Sequence, residues 1–390
     1  MKDKTGSRHF ETVYADHAAT TPIHPQVLET ITRALENVYG NPSSLHCQGQ
    51  QAKRMLIRSR EMIASCIGAH PREMTFTSCG SEAINQALRT AAYLGANKGK
   101  HHVIASRIEH HAVLNTLKLL EAMDCHVTFL DVPANGIVRP QDVAAAIRED
   151  TALVCVMHAN NEIGTLQPVE EIGEMCREKQ VFLLVDAVQS VGHIPVSVRD
   201  IPASFLAFSA HKFGGPKGTG VLYTRTGIEP VPLIAGGGQE RGLRAGTENL
   251  PAIAGMAKAL EIATEEMSAN REKVTALREQ LIAGLETIPQ SVLNGDRQSR
   301  LPGIANFFFS GVEAETLLIL LDNDGISASS GAACSAGAAM PSHVLTAIGL
   351  TPQQARSSLR FSLGPENTAE EMEYIVTRVK THVETLRKRS

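Results

Sequence analysis

Between about residue 60 and residue 225, short β-branched apolar runs alternate with longer stretches of helical periodicity, and no other feature limits the fold of this chain so strongly. Helical spacing covers 50–67 and 81–94; a strand is predicted at 103–106, a helix at 110–123 and a strand at 126–130. Residues 152–157, 181–185 and 205–208 are apolar runs short enough to be buried strands, with a helix at 169–179 between the first two. Strands alternating with helices imply βαβ crossovers, and so a mainly parallel sheet with helices on both faces. Ligands in such sheets sit at the carboxyl ends of the strands, which makes the polar residues just beyond each run the ones to examine.

After Pro251 the pattern changes. Met256, Leu260, Ala263, Met267, Val274, Leu277, Leu281 and Leu285 fall largely at helical spacing and predict one long amphipathic helix over 252–285, stopped by Pro289. A strand (304–309), a helix (314–322), a small-residue stretch, a helix (343–348), a strand (358–362) and a charged amphipathic helix (369–387) follow. This reads as a second, smaller α+β domain. Apolar residues are 43% of the 390 and charged residues 20%, enough for a sizeable core and against disorder. The net charge of −4 lacks the basic excess of a general nucleic-acid binder, so no direct nucleic-acid binding is expected.

No apolar run approaches the ~20 residues of a membrane-spanning helix. The N-terminus is polar, with no apolar signal segment behind it. Seven widely spaced cysteines without a C-x-x-C pair argue against a disulfide framework and a zinc site. The pairs His101-His102 and His110-His111 invite a metal, but adjacent side chains on a strand or helix point apart and no third ligand is suggested. A soluble, reduced, cytoplasmic protein is the expectation, with no metal and no membrane.

The strongest chemical signal is Phe208-Ser209-Ala210-His211-Lys212-Phe213-Gly214-Gly215. A lysine directly after an apolar strand sits at the sheet's ligand edge, where partial burial favours a neutral, nucleophilic amine. Ser209 and His211 are placed to donate to an anion; a loop lysine taken alone is as often just solvated. The run ending in Val185-Asp186-Ala187-Val188-Gln189 puts a carboxylate at the next strand end, able to keep a pyridinium nitrogen protonated, with Gln189 within reach of a ring hydroxyl. Taken alone, such an Asp more often caps a helix. Ser78-Cys79-Gly80-Ser81-Glu82 leads into a helix whose N-terminus offers backbone N–H groups to a phosphate, although an ordinary Ser cap explains the turn equally well.

Together with His110 in Glu109-His110-His111, and Asn161 in His158-Ala159-Asn160-Asn161-Glu162-Ile163-Gly164, this set resembles the class V, fold-type I enzymes of pyridoxal 5'-phosphate (PLP). Within them it is similar to the NifS/IscS-type cysteine desulfurases, from Asp16-His17-Ala18-Ala19-Thr20-Thr21-Pro22 and Gly40-Asn41-Pro42-Ser43-Ser44 through to Arg360-Phe361-Ser362-Leu363-Gly364. The resemblance implies an α/β fold: a large PLP-binding domain (21–255) with a mainly parallel seven-stranded sheet, and a smaller α+β domain formed by 1–20 and 256–390.

By the same resemblance, Lys212 matches the lysine that binds the cofactor covalently and moves the Cα proton, and His110 the imidazole stacked on its ring. Asp186 and Gln189 match the partners of the ring nitrogen and phenolic oxygen, with Asn161 reaching the ring oxygen and the substrate carboxylate. Gly80, Ser81, Ser209 and His211 match phosphate contacts. Thr247, in Gly236-Gly237-Gly238-Gln239-Glu240-Arg241-Gly242-Leu243-Arg244-Ala245-Gly246-Thr247, matches a threonine sent to the phosphate of the other subunit, which makes a homodimer the expectation. Arg360 matches the arginine that pairs with the amino-acid carboxylate, a task suited to a guanidinium; Asn41 is a second candidate for it.

Cys334 lies among small residues in Gly331-Ala332-Ala333-Cys334-Ser335-Ala336-Gly337, which predicts a pliable loop. It corresponds to the family's persulfide cysteine; the other six cysteines are expected to be buried and structural. Cys79 and Ile84 depart from the family's phosphate turn, and Ala332 and Met340 from its loop. The implied activity is cysteine desulfuration with sulfur passed to an acceptor protein in iron–sulfur cluster assembly, tRNA thiolation or DNA phosphorothioation. Alternatives are a class V aminotransferase, a selenocysteine lyase, or a non-catalytic sulfur-relay scaffold.

Overall fold

The structure is a computed structural model, and it describes residues 12–330 and 341–388. The described residues open with β1 (Val13–Tyr14), α1 (Pro25–Asn37) and α2 (Cys47–Cys66), and then enter the alternating region. There follow β2 (Met74–Thr77), α3 (Gly80–Ala96), β3 (His102–Ser106), α4 (His111–Glu121), β4 (His126–Leu130), α5 (Pro140–Ala146), β5 (Thr151–Met157), α6 (Val169–Glu178), β6 (Phe182–Asp186), β7 (Phe205–Ser209) and β8 (Gly220–Thr224). Seven strands form one sheet in the order β2-β8-β7-β6-β5-β3-β4. From β7 to β4 all pairings are parallel, while β8 runs antiparallel to both its neighbours.

Side chains alternate across this sheet with the strand period of two. Val154, Val156, Leu183, Val185, Leu206 and Phe208 enter one core, shared with α1, α2, α6 and α7. Leu153, Cys155, Leu184, Phe205 and Ala207 face the other, against α3 and α4. Burial on both faces explains why these strands read as continuous apolar runs.

The single helix expected over 252–285 is two, α7 (Leu250–Glu265) and α8 (Met267–Glu286), joined at Glu266 with φ −90° and ψ −3°. The two halves serve different cores. Met256, Leu260 and Ile262 pack beneath the large sheet, whereas Val274, Leu277, Leu281 and Leu285 belong to a third core. The bend turns the apolar stripe from one to the other, and the bonds Glu266 N–H to Ile262 O and Asn270 N–H to Glu266 O are kept at 2.9 Å.

The third core is closed by β9 (Ser291–Asn294), β10 (Ile304–Phe309), α9 (Ala314–Asn323), β11 (Ile326–Ser327), β12 (Ser358–Ser362) and α12 (Ala369–Arg387), whereas α10 (His343–Ala347) and α11 (Pro352–Arg356) send Val344, Leu345 and Ala355 into the first core. The sheet of the third core is antiparallel, in the order β12-β10-β9, and β1 pairs with β11 in parallel. Val13 and Ala15 are buried there with Phe307, Phe309, Phe361 and Ile375, so the N-terminal strand packs with the C-terminal part of the chain. The molecule is thus an α/β protein with a mostly parallel seven-stranded sheet and a smaller C-terminal domain.

Candidate active site

Strands β3, β5, β6 and β7 all end at one edge of the sheet, and the residues just beyond them converge on a cleft of about 540 Å³. Gly80, Ser81, His110, Asn161, Asp186, Gln189, Ser209, His211, Lys212 and Arg360 all line it. Two expected residues do not. Asn41 is exposed in the turn after α1, its Oδ1 accepting from the Ser43 N–H at 2.8 Å. Thr247 is exposed beside a separate hollow with Thr77, Ser78 and Glu240. Cys334 lies outside the described residues. Of the other six cysteines only Cys155 and Cys176 are buried; Cys47 is exposed where α2 begins at the surface, and Cys79 lines the cleft.

Lys212 follows β7 in a single tight turn. Its Nζ donates to Ala18 O at 2.6 Å and Ala19 O at 2.9 Å, and its own carbonyl accepts from His193 Nε2 at 2.8 Å. Gln189 Nε2 also donates to Ala18 O, at 2.9 Å. The motif beginning at Asp16 therefore forms one wall of the cleft, a role that no local pattern in the sequence assigned to it.

Asp186 ends β6. Burial pushes its carboxyl up to about 6, while the Val188 N–H at 3.0 Å and the nearby Lys212 charge pull it down. His110 precedes α4 as its cap, Nδ1 accepting from the Ala112 N–H at 3.1 Å. Burial, and then the charge of Lys212, holds its imidazole down at about 4. At neutral pH it is thus uncharged, with the proton on Nε2. Burial and Lys212 do the same to His211, also about 4.

At the start of α3 the cap residue is Cys79, not a serine, and it makes no side-chain bond to the first turn. The leading N–H groups there lack intrahelical acceptors, as at any helix start. A Cβ on Gly80 would stand 2.7 Å from Val188 Cγ2, so only glycine lets this turn approach the loop after Asp186 so closely.

Two buried carboxyls escaped sequence reasoning, although both stand in quoted motifs. Glu109 accepts from Ser106 Oγ and the Met157 N–H, leaving Oε2 without a partner among the described residues, and burial pushes it up to about 8. Glu162 accepts from Ser342 Oγ at 2.5 Å and is pushed up by burial to about 7. Contacts between distant residues enclose them: Met157 is 48 positions from Glu109 and Ser342 is 180 from Glu162.

These residues fit PLP. A buried carboxylate suits a pyridinium N–H, an amine stands nearby, a neutral imidazole lines the same cleft, and an uncapped helix start suits a phosphate.

The family model for class-V aminotransferases matches residues 13–375. The cysteine desulfurase IscS of Clostridium botulinum (strain Hall) is 47% identical over 367 residues, 93% of this chain and 92% of that protein. A solved NifS-like protein superposes with a TM-score of 0.90 at 38% identity, over 96% of this chain and all of the other. SspA, solved in complex with cysteine, gives 0.81 at 36% identity over 92% of this chain and all of the other. The fold and the strand-end lysine and aspartate define a class-V enzyme of the aminotransferase type. More closely, the chain belongs to the NifS/IscS-type cysteine desulfurase family.

Proposed function

We propose that this chain is a PLP-dependent cysteine desulfurase, converting L-cysteine to L-alanine and leaving the sulfur as a persulfide on Cys334. The observation that carries this reading is the convergence of Lys212, Asp186, His110, Arg360 and the uncapped start of α3 on one cleft. A relative 36% identical was solved with cysteine bound, which supports the substrate.

Bound PLP supplies a conjugated ring that accepts the electron pair left at Cα. Asp186 holds the counter-charge for the ring nitrogen, and Gln189 and Asn161 orient the ring oxygen. Gly80, Ser81, Ser209 and His211 would hold the phosphate, and neutral His110 would offer its Nε2–H in the same cleft. Arg360 pairs with the substrate carboxylate, fixing Cα within reach of Lys212, which takes the proton. The Cys334 thiolate attacks the substrate sulfur: an S–S bond forms, the Cβ–S bond breaks, and the bonding pair stays with the carbon skeleton, which is protonated and leaves as L-alanine.

The same reading makes the enzyme a cytoplasmic homodimer. Leu28, Leu35, Tyr39 and Leu45 are exposed on and after α1, Tyr39 by 78% and Leu45 by 92%, an apolar surface suited to a second copy. Thr247, exposed and away from its own cleft, then serves the partner's phosphate, and Asn41 in its surface turn reaches substrate. The chain divides into 21–255 and 1–20 with 256–390, and a sulfur-acceptor protein takes the persulfide onward to iron–sulfur cluster assembly.

The test is incubation of the purified protein with PLP and L-cysteine, assaying alanine and protein-bound persulfide, with Lys212→Ala and Cys334→Ala in parallel. Alanine matched by persulfide on Cys334 is expected, with Cys334→Ala keeping the cofactor and losing the persulfide. A yellow protein that makes no alanine would overturn the activity, and a colourless one the cofactor as well.

A further inference from the structure

The guanidinium of Arg360 is already engaged before any substrate arrives. It projects from β12 with its side chain only 3% exposed. Nη2 donates to Asp16 Oδ1 at 2.7 Å and Nη1 to Asn161 O at 2.7 Å, while buried Nε has no acceptor among the described residues. Asp16 comes from the opposite end of the chain, 344 positions earlier, and is seated by a bridge to Ser362 on the same strand as Arg360. Its own side chain remains 19% exposed.

A buried guanidinium without a counter-charge is strongly unfavourable, so something must balance Arg360 in the resting protein. Asp16 does so, and its contact with Nη2 fixes the plane of the group. Of the five N–H donors two are spent on these partners, and the enclosed Nε–H has no acceptor among the described residues. An arriving carboxylate therefore meets a site that is oriented but nearly neutral, and it must tolerate the like charge of Asp16 close by.

We propose that Asp16 is a positioning and specificity-determining residue that holds Arg360 in place and tempers its charge. The amino-acid carboxylate then binds only weakly by itself, and a ligand is retained through its remaining contacts in the cleft. This rests on the reading of Arg360 as the carboxylate partner.

Asp16→Asn keeps an oxygen for Nη2 but removes the charge. In the cofactor-loaded protein, calorimetric titration with L-alanine should give a Kd about three- to tenfold lower than in the unaltered protein. The KM for L-cysteine should fall similarly, with kcat changing much less. L-Alaninamide, which lacks the carboxylate, should bind both proteins alike, whereas a merely loosened structure would shift both ligands. An L-alanine Kd that is unchanged or raised, or an equal shift for L-alaninamide, would overturn the role of Asp16. Arg360→Leu separates the two claims: if it leaves L-alanine affinity intact, the assignment of Arg360 itself fails.

Discussion

Arg60 and Glu240, 180 positions apart, form a buried two-pronged ion pair, Nη1 to Oε2 at 2.8 Å and Nη2 to Oε1 at 2.5 Å. Glu240 Oε2 also accepts from the Phe76 N–H at 2.9 Å, and the guanidinium lies over the Phe76 ring at 4.5 Å while donating to Met74 O. The pair therefore ties α2 and β2 to the glycine-rich segment that ends at Thr247. Glu240 and Arg241 both have left-handed backbone, φ 48° and 61°, a strain that persists only where surrounding contacts over-determine it. Glu240→Ala leaves Arg60 buried and unpaired and should destabilise the protein by about 3 kcal/mol. Calorimetric unfolding checks this, and a melting temperature unaltered by the change would contradict it.

Gly80→Ala places a methyl group 2.7 Å from Val188 Cγ2. PLP affinity, read by absorbance titration, should fall about tenfold as the turn is pushed outward. Adding Val188→Ala should restore part of it, because the second change removes the atom in the way.

Asp186→Asn keeps the shape of the site and removes the charge. The protein should still fold and still take up PLP, with a shifted absorbance maximum, while alanine production from L-cysteine drops by at least ~100-fold. Full activity in this variant would remove Asp186 from the reading.

Glu109 and Glu162 give stability a pH dependence of definite sign. Burial raises them to about 8 and about 7, so the folded protein holds protons that the unfolded chain releases near the ordinary carboxyl value. Their contribution is complete in acid and is lost as pH rises from about 4.5 through 8, at roughly 1 kcal/mol per pH unit for each group while it is mismatched. Glu109→Gln should flatten the decline in melting temperature over that window. A slope identical to the native one would exclude Glu109 as its source.

Much of the fold was legible because it is written in local pattern. The strands at 126–130, 304–309 and 358–362 and the helix at 369–387 have the predicted bounds, and the strand-end rule led directly to Asp186, Ser209 and Lys212. Five of the seven strands of the large sheet stood out as apolar runs. The other two, β2 and β8, carry threonine or glycine among their apolar residues (Met74-Thr75-Phe76-Thr77 and Gly220-Val221-Leu222-Tyr223-Thr224) and so offer no continuous apolar run of four. The bend at Glu266 was invisible because its apolar spacing continues across it; only the separate cores show why it turns. In the site, Asp16, Glu109 and Glu162 stood in motifs without assigned roles, since their function depends on partners far along the chain. Asn41 and Thr247 came from resemblance, and neither reaches the cleft of its own chain.

The distance between Asp16 and Arg360 along the chain has a consequence for biogenesis. Asp16 leaves the ribosome 344 residues before Arg360, and β1 waits almost as long for its partner β11. The large sheet can assemble while synthesis continues, with Lys212 and Asp186 in place, yet Arg360 is made only 148 positions after Lys212. A nascent chain can thus gain the means to hold a cofactor well before it gains the means to select a substrate.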